Sequence, residues 1–281
     1  MRINTNVSSL NTQRILAKTG TQLAQNIGRL SSGFRINRAA DDAAGLGVAN
    51  KLRSDIRALQ QAARNAEQGT ALLQIAEGAT QTIASIVDRM KELAAQAASA
   101  NSGDHVGLQA EFQTLTEEIH RIVSTTKYQD QLLLDGSMTG EFLVSASGAY
   151  DGADLVTLEA VDLSLATLGL GTVDGGTGAV TALSIDDFAD AQATLADLDD
   201  AVDEINAALA SIGAAQNRLD FAYENVRTTI ENYAAAESTI RDADMAQEMS
   251  TFTKNQILQQ AGTAMLAQAN AAPQVILRLL Q

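Results

Sequence analysis

Residues 258–279 read LQQAGTAMLAQANAAPQVILRL, and their apolar spacing decides what kind of protein this is. Leu258, Ala261, Met265, Gln268, Ala272, Val275 and Leu279 alternate steps of three and four, with one polar member. That pattern lays a narrow stripe along one side of a helix, and so narrow a stripe packs against another helix. At the opposite end Leu16, Leu23, Ile27, Leu30 and Phe34 repeat at heptad spacing, and Ile3, Val7 and Leu10 extend the apolar character towards Met1. Neither end can bury its stripe alone. The two stripes predict termini that pair with each other or with neighbours, as in an assembly protein.

Composition supports long helices. Of 281 residues one is proline, and a helix interior tolerates proline poorly because it loses a hydrogen bond and gains a clash. That proline, Pro273, sits inside the C-terminal stripe and predicts a kink or an end near Ala272. Cysteine and tryptophan are absent and aromatics reach only 4%, which predicts an aliphatic, alanine-rich core. The missing cysteines also exclude disulfides, thiolate catalysis and cysteine-ligated metals.

The net charge of −15 argues against a nucleic-acid partner, since phosphate contacts need clustered Lys and Arg. No Lys or Arg lies between Lys127 and Arg218, an interval whose acids run from Asp130 to Glu204. These carry the excess charge, so the remainder is near neutrality and the interval reads as a solvated acidic surface. The acids lack the spacing and glycine of a calcium loop. No apolar run approaches the roughly 18 residues of a membrane span, and the start lacks the pattern of a secretory signal.

Along the chain, a first helix is expected to close at Gly33, with Asn37, Asp41 and Asp42 as possible caps beyond it. A long helix follows, carrying Leu52, Ile56, Leu59, Ala63 and Ala66, then, after a phase change, Ala79, Ile83, Ile86, Met90, Leu93 and Ala97. Asn101-Ser102-Gly103 reads as a turn and Asp104 as a cap, with a shorter antiparallel helix through Leu108, Phe112, Leu115, Ile119 and Ile122. From about Tyr128 to Ser184 short apolar runs and glycine clusters, including Gly175-Gly176-Thr177-Gly178, predict hairpins and loops. The strongest periodicity comes last, from Leu195 through Leu198, Val202, Ile205, Leu209, Ile212, Gln216, Leu219, Tyr223, Val226 and Ile230 to Tyr233. It predicts a helix of roughly 58 Å. Gln216 within it either fixes register or lies where water reaches.

Chemistry is sparse. His105 and His120 do not form a zinc helix, the Gly-rich run at 169–178 lacks the Lys-Ser/Thr of a phosphate loop, and no nucleophile elbow occurs. No residue pattern calls for a cofactor, a metal or a catalytic group, and an enzyme is the weaker reading.

Particular polar residues narrow the identification further. Ile3-Asn4-Thr5-Asn6-Val7-Ser8-Ser9-Leu10-Asn11 and Leu30-Ser31-Ser32-Gly33-Phe34-Arg35-Ile36-Asn37-Arg38-Ala39-Ala40-Asp41-Asp42-Ala43-Ala44-Gly45-Leu46 closely resemble the N-terminal signature of bacterial flagellins. Glu237-Ser238-Thr239-Ile240-Arg241-Asp242-Ala243-Asp244-Met245-Ala246 and Ala264-Met265-Leu266-Ala267-Gln268-Ala269-Asn270-Ala271-Ala272-Pro273-Gln274 resemble the flagellin C-terminus. A generic coiled coil would fix the apolar positions and leave the residues between them free. The resemblance covers roughly residues 1–130 and 190–281.

The resemblance implies a mainly α fold, a long antiparallel helical bundle with terminal coiled-coil helices and a small β-rich variable middle. It divides the chain into an inner-core helix and connector (1–42), the N-terminal part of the bundle (43–128), a variable outer segment (129–185), a C-terminal bundle helix (186–237) and a C-terminal inner-core helix (238–281). It implies a structural subunit of the flagellar filament, disordered at its termini before assembly. Export would use the flagellar type III apparatus to the cell exterior, with a secretion chaperone, hook-associated proteins and a filament cap as partners. A hook–filament junction protein is the nearest alternative, and a membrane-active amphipathic protein a more distant one. By motif, a Toll-like receptor contact would fall on Arg89, Leu93 and Glu111, with Asp88 standing where the receptor-binding pattern often has an amide.

Overall fold

A computed structural model describes residues 5–99, 105–138, 140–145, 155–173 and 179–279, with side chains to Ala272. The expected turn at Asn101-Ser102-Gly103, the cap at Asp104 and the cluster Gly175-Gly176-Thr177-Gly178 lie outside these residues. So do Ile3 and the side chains of Val275 and Leu279.

Five helices dominate. They are α1 (Val7–Ser32), α2 (Ala43–Ala97), α3 (His105–Thr125), α4 (Phe188–Arg241) and α5 (Met245–Leu279). Among the described residues between α3 and α4 lie three antiparallel strand pairs, β1 (Lys127–Tyr128) with β2 (Gln131–Leu132), β3 (Gly140–Leu143) with β4 (Leu155–Leu158), and β5 (Gly171–Val173) with β6 (Val180–Ala182). The chain falls into two compact units, one of residues 1–56 and 231–281, the other of residues 57–230.

Local chemistry explains where the elements begin and end. Asn6 caps α1 by accepting from the Ser9 N–H at 3.1 Å. Gly33 ends it at φ +75°, donating to the Arg29 carbonyl at 2.8 Å. Asp42 Oδ1 accepts from the Gly45 N–H at 2.9 Å at the start of α2. Asp244 does the same for α5, accepting from Ala246 at 2.9 Å and Gln247 at 3.2 Å. Of the kink or end expected near Ala272, the end does not occur: α5 continues through Pro273 to Leu279.

In the unit of residues 57–230, the core draws Leu72, Ile83, Met90 and Leu93 from α2, Phe112 and Ile119 from α3, and Leu198, Ile205, Ile212 and Leu219 from α4. All twelve members of the Leu195–Tyr233 seam are buried or half-buried. Gln216 is half-buried and donates to the Glu77 carboxylate at 2.8 Å. At Gly69 an added Cβ would lie 2.9 Å from Leu219 Cδ1 and 3.2 Å from Phe142 Cε1, so the missing side chain is what lets α4 and β3 approach α2.

The segment 129–185 also contributes to this core. Leu133, Leu134, Leu163, Leu165 and Leu170 are fully buried in the same core as the helices. Two glutamines one turn apart on α3 tie the segment down. Gln113 donates to the Val180 carbonyl at 2.7 Å and accepts from the Ala182 N–H at 3.3 Å, while Gln109 donates to the Leu183 carbonyl at 3.1 Å and accepts from the Ile185 N–H at 2.7 Å. Their amides thus satisfy backbone groups beside β6 that a further strand would otherwise take. The acids Asp186, Asp187, Asp190, Asp199, Asp200, Asp203 and Glu204 remain exposed.

Candidate assembly interface

The unit of residues 1–56 and 231–281 is built on the antiparallel pairing of α1 with α5. From Met245 to Ala272 every residue that is not exposed lies on one stripe: Glu248, Phe252, Asn255, Gln259, Gly262, Leu266 and Ala269. These alternate four and three. The facing stripe on α1 is Ser9, Thr12, Leu16, Thr19, Leu23, Asn26 and Leu30. The intrachain seam is therefore largely polar or small.

Its contacts run in register from end to end. Gly262 makes room for Leu16, whose Cδ1 would lie 3.2 Å from a Cβ there. Asn26 Nδ2 donates to Glu248 Oε2 at 2.5 Å, Asn255 Nδ2 donates to Asn26 Oδ1 at 2.9 Å, and Arg29 pairs with Glu248 at 3.0 Å. Asn26 and Asn255 are nonetheless buried, so their amides must have these partners. At the far end of the pair Ser9 Oγ donates to Asn270 Oδ1 at 2.7 Å.

Below α1 the connector runs beside the α4–α5 junction. Arg35 N–H donates to the Arg241 carbonyl at 2.7 Å, Ala243 N–H to the Gly33 carbonyl at 2.9 Å, and Phe34 bridges to Asp242. The Arg241 guanidinium lies 4.4 Å from the Phe34 ring centre, and Arg53 pairs with Glu237 at 2.6 Å. Backbone N–H bonds from Arg38 and then Asn37 hold the Asp41 carboxyl below its usual range.

The C-terminal apolar seam lies outside this pairing. Leu258, Ala261, Met265, Gln268 and Ala272 are all exposed and face away from α1, with Leu258 47% and Met265 62% accessible. On α1, Leu16, Leu23 and Leu30 lie on the inner stripe, while Val7 at 68%, Leu10 and Ile27 are exposed. Phe34 is half-buried against Arg241. Within the chain it is the polar, small-residue stripe of α5 that meets α1, and the apolar stripe is left for neighbours. The physical reason is steric and polar together. Gly262 and Ala269 allow close approach, and rotation would strip Asn26, Glu248 and Asn255 of their partners.

Sequence reasoning followed apolar residues and so missed Asn26, Glu248, Asn255 and Gly262. The signal was available as a second four–three alternation running through polar letters.

Of the expected receptor contact, Arg89 and Glu111 meet at the surface, with Arg89 Nη2 2.8 Å from Glu111 Oε1 and Nη1 2.8 Å from Glu92. The hydrogen bonds that Arg89 donates to Glu111 and then Glu92 push its guanidinium pKa further up. Leu93 is buried in the core and presents no surface. Among the described residues no group of three or more His, Cys, Asp or Glu could hold a metal, and no helix is long and apolar enough to cross a membrane.

Comparison with known proteins matches this architecture at both ends. Residues 3–139 match the bacterial flagellin N-terminal helical region, and residues 195–280 match the bacterial flagellin C-terminal helical region. The chain is 39% identical to the flagellin of Bacillus subtilis over 305 residues, and 42% identical to the flagellar filament 33 kDa core protein of Treponema phagedenis over 288, each covering 100% of both chains. A structure of a putative flagellar hook-associated protein from Vibrio parahaemolyticus covers 72% of this chain and 100% of its own at a TM-score of 0.55. Its 15% identity shows a shared fold alone. The terminal pair, the helical bundle and the full-length identity all agree: this chain belongs to the bacterial flagellin family.

Proposed function

We propose that the exposed apolar residues of α1 and the outward apolar stripe of α5 are the surfaces through which this chain polymerises. The chain is a structural subunit of the bacterial flagellar filament, an extracellular appendage built from copies of itself. One observation carries the surface assignment: Val7, Leu10, Ile27, Leu258 and Met265 are exposed together on two helices whose own pairing uses a different stripe. Large apolar side chains that only a neighbouring molecule can shield from water are what assembly can cover. A head-to-tail interface that does not close yields an open helical polymer.

The finer partners follow from family resemblance. Export through the flagellar type III apparatus, with a secretion chaperone, hook-associated proteins and a filament cap, suits a chain without disulfides to form. A Toll-like receptor contact rests on Arg89 and Glu111; Leu93 would act only by holding the helix that carries Arg89. Replacing Arg89 with Ala would then weaken receptor signalling and leave filaments intact.

Electron microscopy after adding filament seeds tests the function, using the intact chain, a version lacking residues 1–34, and the pair Leu258→Asp with Met265→Asp. Long filaments of uniform diameter from the intact chain only are expected. Filaments from the Asp pair would reject the stripe assignment. Persistent monomers or short caps from the intact chain would favour a junction protein over a filament subunit.

A further inference from the structure

We propose that Asn6 is a positioning residue that supplies, from α1, the hydrogen bond Pro273 withholds inside α5, and that this exchange marks the axial register of the terminal pair. In an α-helix the N–H of residue 273 would donate to the carbonyl of residue 269. Proline has no N–H, and its ring crowds that same carbonyl. Yet α5 runs through Pro273 to Leu279, so the Ala269 carbonyl must find a donor elsewhere. Asn6 Nδ2 donates to Ala269 O at 2.7 Å.

The geometry of Asn6 makes the donation specific. Its Oδ1 accepts from the Ser9 N–H at 3.1 Å, which commits the oxygen to capping α1 and turns the amide nitrogen towards α5. One side chain thus closes an orphan donor on one helix and an orphan acceptor on the other. Ala269 is half-buried on the inner stripe, where water competes poorly for the carbonyl. The chain has a single proline, so short of the final turn of α5 only one carbonyl is released in this way. A slip of one helical turn, about 5.4 Å, would set Asn6 against a carbonyl already bonded within the helix. Asn26 and Asn255 fix the same register from the other end of the pair.

The polymerisation readout rests on the filament function above, and the test is arranged to separate the two. Asn6→Ser keeps a favoured capping side chain but is too short to reach Ala269. Pro273→Ala restores the missing N–H, so the Ala269 carbonyl no longer needs Asn6. Four full-length chains are compared, the wild type, each single variant and the double variant. Each is measured by the critical concentration for seeded polymerisation and by amide hydrogen exchange across residues 245–272.

With Pro273 in place, Asn6→Ser is expected to raise the critical concentration roughly fivefold, the factor that one lost hydrogen bond gives, and to speed exchange in α5. In the Pro273→Ala background the same change should have less than a twofold effect on either measurement. Equal effects in both backgrounds would overturn the proposal and leave Asn6 as an ordinary cap. If the wild type does not polymerise, the filament function falls, and the exchange cycle still decides the role of Asn6.

Discussion

The two compact units bury opposite kinds of surface. In residues 57–230, Ile83, Met90, Leu93, Phe112 and Ile119 are sealed from water by residues of the same chain. In the terminal pair, Thr19, Asn26 and Asn255 are buried while Val7, Leu10, Leu258 and Met265 are exposed. The first unit has what a folded domain needs. The second buries polar residues beside its inner leucines and leaves Val7, Leu10, Leu258 and Met265 open to another molecule. The contacts of the α1–α5 pair and its exposed apolar residues therefore lie on different faces of the two helices.

The largest effect expected from breaking this division is in the self-sufficient unit. Phe112→Ala removes a fully buried ring and should cost about 3–5 kcal/mol. Thermal melting followed by circular dichroism should show the bundle's transition falling sharply. An equivalent loss from Leu258→Ala, which removes an exposed side chain, would contradict the division.

A smaller effect is expected within the terminal pair. Asn255→Ala leaves the Asn26 oxygen buried without its donor, at about 1–3 kcal/mol. Replacing Asn26 and Asn255 together by Leu should recover only part of that loss, because the amide pair is then gone from both sides while Glu248 loses its Asn26 donor, and should loosen the register. The cycle is read by hydrogen exchange in α1 and α5, with the bundle's melting as an unchanged reference.

The smallest effect is one of pH and touches both units. Burial raises the Asp162 carboxyl, but the Ser164 N–H and the Thr167 and Ser164 hydroxyls together hold it below its ordinary value near 3.8. Asp41 in the α1–α2 connector is also lowered, by the N–H groups of Arg38 and Asn37. A carboxyl lowered on folding contributes stability above its unfolded pKa, and that contribution is lost as pH falls through the folded value. Melting between pH 5 and 2 should therefore drop for the wild type. Asp162→Asn should be less stable than the wild type at pH 5 and converge with it at pH 2; a constant difference across the range would refute the assignment.

Much of the bundle was legible from spacing alone. The Leu195–Tyr233 seam is buried or half-buried at every position, and Gly33 closes α1 in the left-handed conformation its lack of a side chain permits. Gln216 was legible as an exception, though its partner Glu77 was not, because that residue lies 139 positions away in the chain. The leucines at 133, 134, 163, 165 and 170 were harder to place. Short runs between turns do not declare which core they join, and the Gln109 and Gln113 clamps that hold them depend on contacts from another element.

The assembly surface divides along the same line. The sequence by itself determined that both termini are helices with unburied apolar stripes, because three–four spacing is a property of one helix and needs no partner to be read. Its polar signatures determined the family. Only the tertiary structure decided which stripe α5 turns inward. α5 carries two alternating stripes, and the choice between them depends on Gly262 admitting Leu16, on Asn26 meeting Asn255 and Glu248, and on Asn6 reaching the carbonyl that Pro273 leaves free. Those are pairings between residues more than two hundred positions apart, and periodicity carries no information about them.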